Sequence, residues 1–346
     1  MNVMQFFPVL IAGFAAAVGF TPITKRLAVY LGVLDQPSSR KVHKSPTPLM
    51  GGLAIYGAFV VSLLLFSPPF YLKEFGAIIT GATWLALVGF VDDRNGMKPL
   101  IKMAAQLIAG IVLVVAGIHV RIFDSDALNI GVTLFWIVGI TNAMNFQDNM
   151  DGLAAGITAV ASSIFFIMAV REELSLVSSL AAALAGASIG FLIYNFNPAT
   201  TFMGDMGSMV LGFILAVLAI KLDFNVPADR QIITGMVPIL VLGVPIFDTT
   251  LVVFTRLRER RSPMRGGKDH TSHRLCSIGL SQKMAVLVLY AVSAALGLAA
   301  IELSRANAID GLNLMFRLVL MAAGAFFFLE YVYIRNRQKH NKRDKS

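Results

Sequence analysis

The sequence predicts an all-α fold, a polytopic integral membrane helical bundle of about eleven transmembrane helices with the N-terminus outside and the C-terminus cytoplasmic. Hydrophobic residues make up 56% of the 346 residues and charged residues 14%, with a mean hydropathy of +0.73. A soluble domain carries about 25% charged residues. Apolar stretches of spanning length recur along the chain, and Lys and Arg concentrate in alternate connecting loops.

Eleven segments are long and apolar enough to cross a bilayer, which takes roughly 17–25 residues per helix. Because these segments fill most of the chain, we predict one transmembrane domain over residues 1–334 and a basic cytoplasmic tail over 335–346. The predicted spans are, in order, Val3–Phe20, Leu49–Phe66, Phe75–Val91, Met103–Val120, Ile130–Phe146, Leu153–Val170, Leu176–Tyr194, Met206–Ile220, Ile232–Phe254, Met284–Ile301 and Leu318–Ile334.

Positive charge sets the predicted orientation. With the N-terminus outside, 22 of the 29 Lys and Arg residues fall in the inner loops and the tail, as the positive-inside rule expects. Membrane orientation therefore explains the net charge of +9, and we expect no nucleic-acid partner. The same orientation places every polar cluster at the cytoplasmic face, as an active site between helix ends requires. These clusters are residues 35–48, 92–102, 142–151, 195–205 and 248–274.

Two adjacent carboxylates, Asp92 and Asp93, end the third predicted span, and Lys102 begins the next. Carboxylates beside lipid are costly unless they are paired or bind a metal ion. A catalytic role and a solvated helix end with an ion pair explain this motif equally well.

Amides and carboxylates gather at the inner end of the fifth span. Asn142, Asn145 and Asn149 share one helix face, and Asp148 and Asp151 follow them. This composition suits a divalent cation or a polar ligand, since Mg²⁺ takes few carboxylates together with water and substrate phosphates. Helix capping accounts for one or two of these residues but not for all five.

The segment FMGDMGS, from Phe202 to Ser208, begins the eighth span. Its glycines allow close backbone approach, and a helix N-terminus offers free N–H groups to phosphate. Asp205 either caps this helix or holds a cation beside the phosphates; from the residue alone, capping is favoured.

Asp248 lies about two turns inside the end of the ninth span, where a carboxylate is a functional candidate or a partner for a basic residue of the next loop. That loop has a basic run at 256–261, typical of a lipid-headgroup anchor. His270, His273 and Arg274 follow. These cationic groups, with an arginine beside the second histidine, indicate phosphate binding more than zinc.

Six ordered blocks on consecutive inner loops together carry a specific signal. They read DQPSSRKVHKSPTPLMGG, GFVDDRNGMKPLIKMAAQ, TNAMNFQDNMDGLAAG, NFNPATTFMGDMGS, PIFDTTL and DHTSHR. Over about residues 35–274 the sequence resembles the polyprenyl-phosphate N-acetylhexosamine-1-phosphate transferases, relatives of the phospho-N-acetylmuramoyl-pentapeptide translocase. The resemblance implies transfer of a sugar-1-phosphate, first of all N-acetylglucosamine-1-phosphate, from a UDP-sugar to undecaprenyl or another polyprenyl phosphate. UMP would be released at the cytoplasmic face of the cell membrane.

The resemblance also implies Mg²⁺ as cofactor, with Mn²⁺ as a substitute, and leaves a homodimer open. Asp148 and Asp151 would lie in the nucleotide pocket, and Phe202 would stack on uracil. The implied catalytic residues are Asp92, Asp93, Lys102, His270 and His273. The implied metal site is Asp205 with Asn145. The implied substrate-binding residues are Asn142, Asn145, Asp148, Asp151, Phe202, Asp248 and Arg274.

Two departures from the family pattern bear on this expectation. Asn149 stands where the family usually has Gly, and His270 and His273 are separated by Thr-Ser where the translocase branch has three consecutive histidines. The second departure favours an N-acetylhexosamine over a muramoyl-pentapeptide substrate.

Two other functions are consistent with parts of the sequence. A secondary transporter would explain intramembrane Asp and Asn residues, but such proteins bind near the midplane and often show inverted repeats. A non-catalytic membrane scaffold would leave Asp92, Asp93 and Asp205 without a role.

Overall fold

The computed structural model describes residues 2–36, 46–67, 72–224, 233–264 and 266–343. The rest of the first predicted polar cluster, residues 37–45, and the end of the predicted tail, residues 344–346, lie outside the described residues. The structure is 79% helical, and the chain divides into two compact units, Met1–Asn225 and Val226–Ser346. The prediction of a single domain over 1–334 stays a prediction.

Within the described residues, the first unit begins with a 3₁₀ turn, Val3–Phe6, and continues with eight α-helices and one short two-stranded antiparallel sheet. Strand β1 pairs antiparallel with β2, with Leu34 opposite Pro48. The elements are α1 (Phe7–Leu31), β1 (Leu34–Asp35), β2 (Thr47–Pro48), α2 (Gly51–Phe66), α3 (Leu72–Asn95), α4 (Pro99–Val115), α5 (Asp126–Gln147), α6 (Leu153–Arg171), α7 (Ser175–Asn195) and α8 (Gly204–Lys221).

Helices α6, α7 and α8 form the centre of this unit and are mostly buried on all sides. Helix α7 is rich in Ala and Ser and packs against both α1 and α6, because small side chains let membrane helices approach closely. Helices α1, α3 and α5 keep much of their apolar surface exposed, as expected where lipid is the solvent.

The N-terminal ends of α2 and α8 meet through backbone contacts. Gly51 N–H donates to the Phe202 carbonyl at 2.9 Å, and Phe202 N–H donates to the Pro48 carbonyl at 2.9 Å. A Cβ on Gly52 would lie 2.3 Å from the backbone nitrogen of Gly207, so only glycine fits there. This contact fixes where α8 begins, and therefore where Asp205 lies.

The second unit contains, among its described residues, five α-helices. These are α9 (Val237–Val241), α10 (Gly243–Arg258), α11 (Thr271–Ser277), α12 (Gln282–Leu303) and α13 (Ala308–Arg343). The ninth predicted span is a bent pair rather than one straight helix: Ile233–Val241 and Gly243–Arg258 meet at 76°. Pro245 explains the break, since it has no N–H to donate to the preceding turn.

In the part of the chain that the structure describes, eight helices are long and apolar enough to cross a membrane, or nine if the bent pair is one span. Helices α2 and α4, with 16 and 17 residues, are apolar but shorter. The all-α polytopic class is confirmed, whereas the count of eleven and the orientation of the termini stay predictions. The predicted boundary at residue 334 falls inside α13, whose polar continuation to Arg343 stays helical.

Candidate active site

Asp93 binds the first turn of α8. Its Oδ1 accepts the Asp205 N–H at 2.7 Å and its Oδ2 accepts the Met206 N–H at 3.1 Å. A carboxylate is favourable there because the first N–H groups of a helix have no partner within the helix. Gly204 has φ +70°, and a Cβ on it would lie 2.4 Å from Asp93 Oδ2. The approach of Asp93 therefore requires glycine at position 204.

Lys102, on the first turns of α4, joins two carboxylates. Its Nζ donates to Asp92 Oδ2 at 2.7 Å and also to Asp205 Oδ2. Asp92 Oδ1 accepts the Met97 N–H at 2.5 Å, which holds the turn between α3 and α4. Lys102 is thus held between the carboxylates of Asp92 and Asp205.

Asn145, on the last turns of α5, completes this network. Its Nδ2 donates to Asp205 Oδ1 at 2.8 Å and to Ser208 Oγ at 2.9 Å. Its amide oxygen makes no hydrogen bond to the described residues and is available to a ligand. Ser208 ends the block NFNPATTFMGDMGS, but no role was predicted for it. It follows Asp205 by three residues and therefore lies on the same helix face, which is the feature that could have indicated a role.

Asp148 directly follows α5 and faces other carboxylates. Burial and the negative charges of Asp205, Asp151 and Asp35 raise the pKa of Asp148 to about 7. So much negative charge in one place favours a bound cation.

Asp151 and Asn195 hold the connection between α7 and α8. Asp151 Oδ2 accepts the Asn197 Nδ2 and the Ala199 N–H, each at 3.0 Å. Asn195 is buried; it accepts the Gly152 N–H at 3.1 Å and donates to the Thr201 carbonyl at 3.0 Å. These contacts order the segment that leads to Phe202 and Asp205.

The remaining predicted residues of this unit lie around the network. Asn142 donates to Gln106 Oε1 at 2.6 Å and to the Val138 carbonyl at 2.8 Å, which joins α5 to α4. Asn149 donates to the Phe146 carbonyl at 2.7 Å. Phe202 is half-buried. Contact of Asn142 and Phe202 with substrate stays a prediction.

Asp205 and Asn145 fit the implied Mg²⁺ site in kind, because a carboxylate and an amide oxygen are the hard ligands this ion takes. Among the described residues, no three His, Cys, Asp or Glu side chains form a ready metal cage. An ion held by few protein groups needs substrate phosphates or water to complete its shell, which is how Mg²⁺ usually binds.

In the second unit, Asp248 orients His270. Asp248 is 1% exposed; its Oδ2 lies 2.8 Å from His270 Nδ1, and its Oδ1 accepts the Thr271 N–H at 2.6 Å. A carboxylate that binds Nδ1 fixes the ring and leaves Nε2 as the other functional nitrogen. From the sequence, Asp248 was predicted to be either a functional residue or the partner of a basic residue in the next loop. In the structure its partner in that loop is His270.

Arg274 is 2% exposed and makes four hydrogen bonds to the protein. They go to the carbonyls of Asp269 and Leu329, to Glu330 Oε2 at 2.7 Å and to Thr255 Oγ1 at 2.6 Å. The set Thr255, Arg274 and Glu330, which we call the clasp, ties α11 to α10 and α13. In this structure Arg274 anchors α11, and its predicted contact with substrate stays a prediction.

The basic run 256–261 is largely bound within the protein rather than offered to lipid headgroups. Arg256 is 1% exposed and binds Asp269 through two contacts, at 2.9 and 2.7 Å. Arg261 also reaches Asp269, at 3.2 Å. Burial opposes ionisation of Asp269, but the hydrogen bonds from Arg256 hold its pKa below the usual value. The lipid-anchor interpretation is therefore wrong for Arg256.

Loss of the clasp is expected to destabilise the protein. Arg274→Met leaves Glu330 buried without one of its cations, and breaking a buried pair costs about 3–5 kcal/mol. Thermal unfolding in detergent measures the effect. Arg337→Gln is the matched control, since Arg337 binds Glu259 from an exposed position on α13, the helix that carries Glu330, and should change stability by less than about 1 kcal/mol. Equal effects of both variants would contradict the role of the clasp.

His273 should make stability fall in mild acid. Burial, then the positive charges of His270 and Lys268, lower its pKa to about 4. A group with a depressed folded pKa takes up its proton in the unfolded state first, so stability is full above pH ~6.5 and is lost towards pH ~4. The loss is about 2 kcal/mol after allowance for solvent screening. Melting curves of His273→Gln should lack this component; an unchanged pH dependence in that variant would refute it.

The structure brings five predicted residues of the first unit into one bonded network, and in the second unit it pairs Asp248 with His270. The network comprises Asp92, Asp93, Lys102, Asn145 and Asp205. Sequence reasoning missed Glu330, although a lone carboxylate in an apolar span was a signal. It also gave no role to Asp269, the buried partner of Arg256.

Comparison with known proteins gives related enzymes. Residues 75–223 match glycosyl transferase family 4. The chain is 37% identical to a probable undecaprenyl-phosphate N-acetylglucosaminyl 1-phosphate transferase of Bacillus subtilis, covering 87% of this chain and 85% of that protein. It is 36% identical to a decaprenyl-phosphate N-acetylglucosaminephosphotransferase of Mycolicibacterium smegmatis, covering 76% and 73%. It is 33% identical to a phospho-N-acetylmuramoyl-pentapeptide-transferase of Bacillus cytotoxicus, covering 59% and 69%.

Proposed function

The chain belongs to the polyprenyl-phosphate N-acetylhexosamine-1-phosphate transferase family, and we propose that it transfers N-acetylglucosamine-1-phosphate from UDP-N-acetylglucosamine to undecaprenyl phosphate. UMP is released, and the reaction takes place at the cytoplasmic face. The observation that carries this proposal is the network around Asp205, which joins the ends of α3, α4, α5 and α8 inside the matched segment 75–223.

The choice of sugar and acceptor rests on the relatives. Two of them, at 37% and 36% identity, are named as N-acetylglucosamine-phosphate transferases that act on undecaprenyl and decaprenyl phosphate. The relative named for the muramoyl-pentapeptide matches less of this chain. The separated histidines, His270 and His273, favour the same sugar. The comparisons give the alternative of a secondary transporter no support.

The reaction joins two anions, so the protein must hold phosphates close together and offset their charge. An oxygen of the lipid phosphate forms a bond to the β-phosphorus of the UDP-sugar; the bond from that phosphorus to the bridging oxygen breaks, and UMP leaves with the electron pair. Lys102, held by Asp92, stabilises charge on the phosphates. Asp205 and Asn145 would hold Mg²⁺, with Mn²⁺ as a substitute, and the bound ion would neutralise the pyrophosphate.

The two adjacent carboxylates have positioning roles in this proposal. A phosphate monoester has a second pKa of about 6 and is largely dianionic at pH 7, so the nucleophile needs little help in losing a proton. Asp92 already accepts from Lys102, and Asp93 accepts two backbone N–H groups. Each contact fixes a neighbouring group that faces the substrate.

The other predicted residues are assigned by the same chemistry. Asp148, Asp151 and Phe202 would form the nucleotide pocket. His270, oriented by Asp248, would donate from Nε2 to the sugar or its phosphate, together with His273. A homodimer stays an open alternative.

A direct assay tests the proposal. Purified protein in detergent receives UDP-N-acetylglucosamine, undecaprenyl phosphate and Mg²⁺, and UMP release is followed with and without EDTA. UMP that needs both the lipid and the metal supports the proposal. Activity with only another UDP-sugar keeps the reaction class and changes the substrate. Folded protein that is silent with every UDP-sugar refutes the proposal.

A further inference from the structure

Asp269, the residue directly before His270, is held by a buried arginine. Asp269 and Arg256 are each 1% exposed. The Arg256 guanidinium donates from Nε to Asp269 Oδ2 at 2.9 Å and from Nη2 to Asp269 Oδ1 at 2.7 Å. Two parallel bonds from a planar guanidinium fix the direction of a carboxylate as well as its distance. The Asp269 side chain is therefore fixed relative to α10.

The main chain of Asp269 is held as well. Its carbonyl oxygen accepts Arg274 Nε at 2.8 Å, and Arg274 is itself bound by the other members of the clasp, Thr255 and Glu330. This carbonyl belongs to the peptide bond between Asp269 and His270. The hold on Asp269 therefore reaches the backbone of the histidine directly.

The peptide bond after His270 is held from the same helix, α10. The Thr271 N–H donates to Asp248 Oδ1 at 2.6 Å, and the other oxygen of this carboxylate lies 2.8 Å from His270 Nδ1. Asp248 and Arg256 stand eight residues apart on α10, a helical rise of about 12 Å. One helix thus fixes the ring of His270, the peptide bond after it and, through Arg256, the residue before it.

Stability alone is a weak reason for a buried ion pair such as that of Arg256 and Asp269. Both charges lose their hydration, and apolar residues of similar volume often give equal or greater stability. A group that acts on a substrate, by contrast, must keep its place within about 0.5 Å, and a displacement of about 1 Å can cost about 10²-fold in rate. The arrangement therefore suits a residue that positions the neighbouring histidine.

We propose that Asp269, bound by Arg256, is a positioning residue for His270: it fixes the backbone before the histidine and so keeps the direction of Nε2. This inference rests on the proposed function, in which His270 donates from Nε2 to the sugar or its phosphate. Asp269 acts through His270 and not on the substrate, because both of its carboxylate oxygens bind Arg256 in a buried pair.

The kinetics of single and double variants test this role. UMP release with saturating substrates is measured for Asp269→Asn, for His270→Ala and for the double variant, at a temperature at which circular dichroism shows all of them folded. Asp269→Asn should lower kcat by about 20-fold, and it should have no further effect in the His270→Ala background. An unchanged kcat in Asp269→Asn, or a loss in the double variant equal to the product of the two single losses, overturns the proposal.

Conservative variants and a matched control sharpen the result. Asp310→Asn is the same chemical change at an exposed position of this unit and should keep kcat. Asp269→Glu keeps the charge and should recover part of the rate that Asp269→Asn loses. If Asp269→Asn does not fold, Arg256→Lys replaces it, because lysine keeps the positive charge but cannot form the two parallel bonds. A kcat in Arg256→Lys equal to that of the unmodified protein would then refute the role.

A readout that does not depend on activity separates this inference from the proposed function. An ionised carboxylate only accepts, so Nδ1 of His270 is the donor to Asp248. The chain has five histidines, and NMR of protein with labelled histidine can assign the Nδ1–H signal of His270 by its absence from His270→Ala. Asp269→Asn should shift or abolish this signal, whereas Asp310→Asn should keep it.

The two failures then look different. An Nδ1–H signal unchanged by Asp269→Asn refutes the positioning role, whatever the activity of the protein. A changed signal in a protein that releases no UMP from any UDP-sugar supports the hold of Asp269 on His270 and refutes the proposed function instead.

Discussion

Asp205→Asn should lower kcat by on the order of 10³-fold, the largest effect of a single substitution in this protein. The reason is that Asp205 serves three neighbours: its carboxylate accepts from Lys102 and Asn145, and its N–H donates to Asp93. An amide keeps the shape but removes the charge that holds the ammonium and that would hold the proposed divalent cation. UMP release with saturating substrates, titrated with Mg²⁺, measures the loss.

Asp223→Asn is the matched control, since Asp223 is exposed just beyond the other end of the same helix, α8. It should leave kcat and the Mg²⁺ requirement unchanged. If Asp205→Asn retained more than about a tenth of the activity with the same Mg²⁺ dependence, the network around Asp205 would not be the catalytic centre.

Much of the fold follows from hydropathy alone. All eleven predicted spans overlap helices among the described residues, because a membrane offers no water to unpaired backbone groups and an apolar run must be helical. Hydropathy could not show that the ninth span bends by 76° at Leu242. It also placed a boundary at residue 334, whereas α13 continues to Arg343 and Arg337, beyond that point, binds Glu259 of the same unit.

The candidate site was predictable where residues are adjacent in sequence or share a helix face. Asp92 and Asp93 were found in this way, whereas the role of Asp205 was implied only by the family resemblance; the structure joins the three through Lys102 and through the start of α8. Partners far apart in the chain were not predictable. Glu330 binds Arg274 from 56 positions away, and only the packing of α13 against α11 brings them together.

The sequence alone cannot assign separate roles to the adjacent carboxylates Asp92 and Asp93. The structure separates them: Asp92 faces Lys102, and Asp93 faces the N-terminus of α8. A general base needs a carboxylate free to receive a proton from the nucleophile. Both oxygens of Asp93 already accept backbone N–H groups, which favours a positioning role.

Asp93→Asn should therefore lower kcat by about 10²-fold, with little recovery at pH ~9. The amide offers one acceptor where the carboxylate offers two, so the start of α8 loosens and Asp205 shifts from its place. Rates of UMP release between pH 6 and about pH 9 test this. A base role predicts the opposite, because a rising concentration of hydroxide would replace the missing base. Strong rescue at high pH would overturn the positioning role.

A second readout separates the two roles without reference to rate. Loss of a helix cap costs about 1 kcal/mol, so Asp93→Asn should lower the melting temperature by about 2–4 °C. Loss of a base that touches only substrate would leave the free protein as stable as before. Lower stability together with an unrescued rate identifies Asp93 as the residue that fixes α8 and, through it, the carboxylate of Asp205.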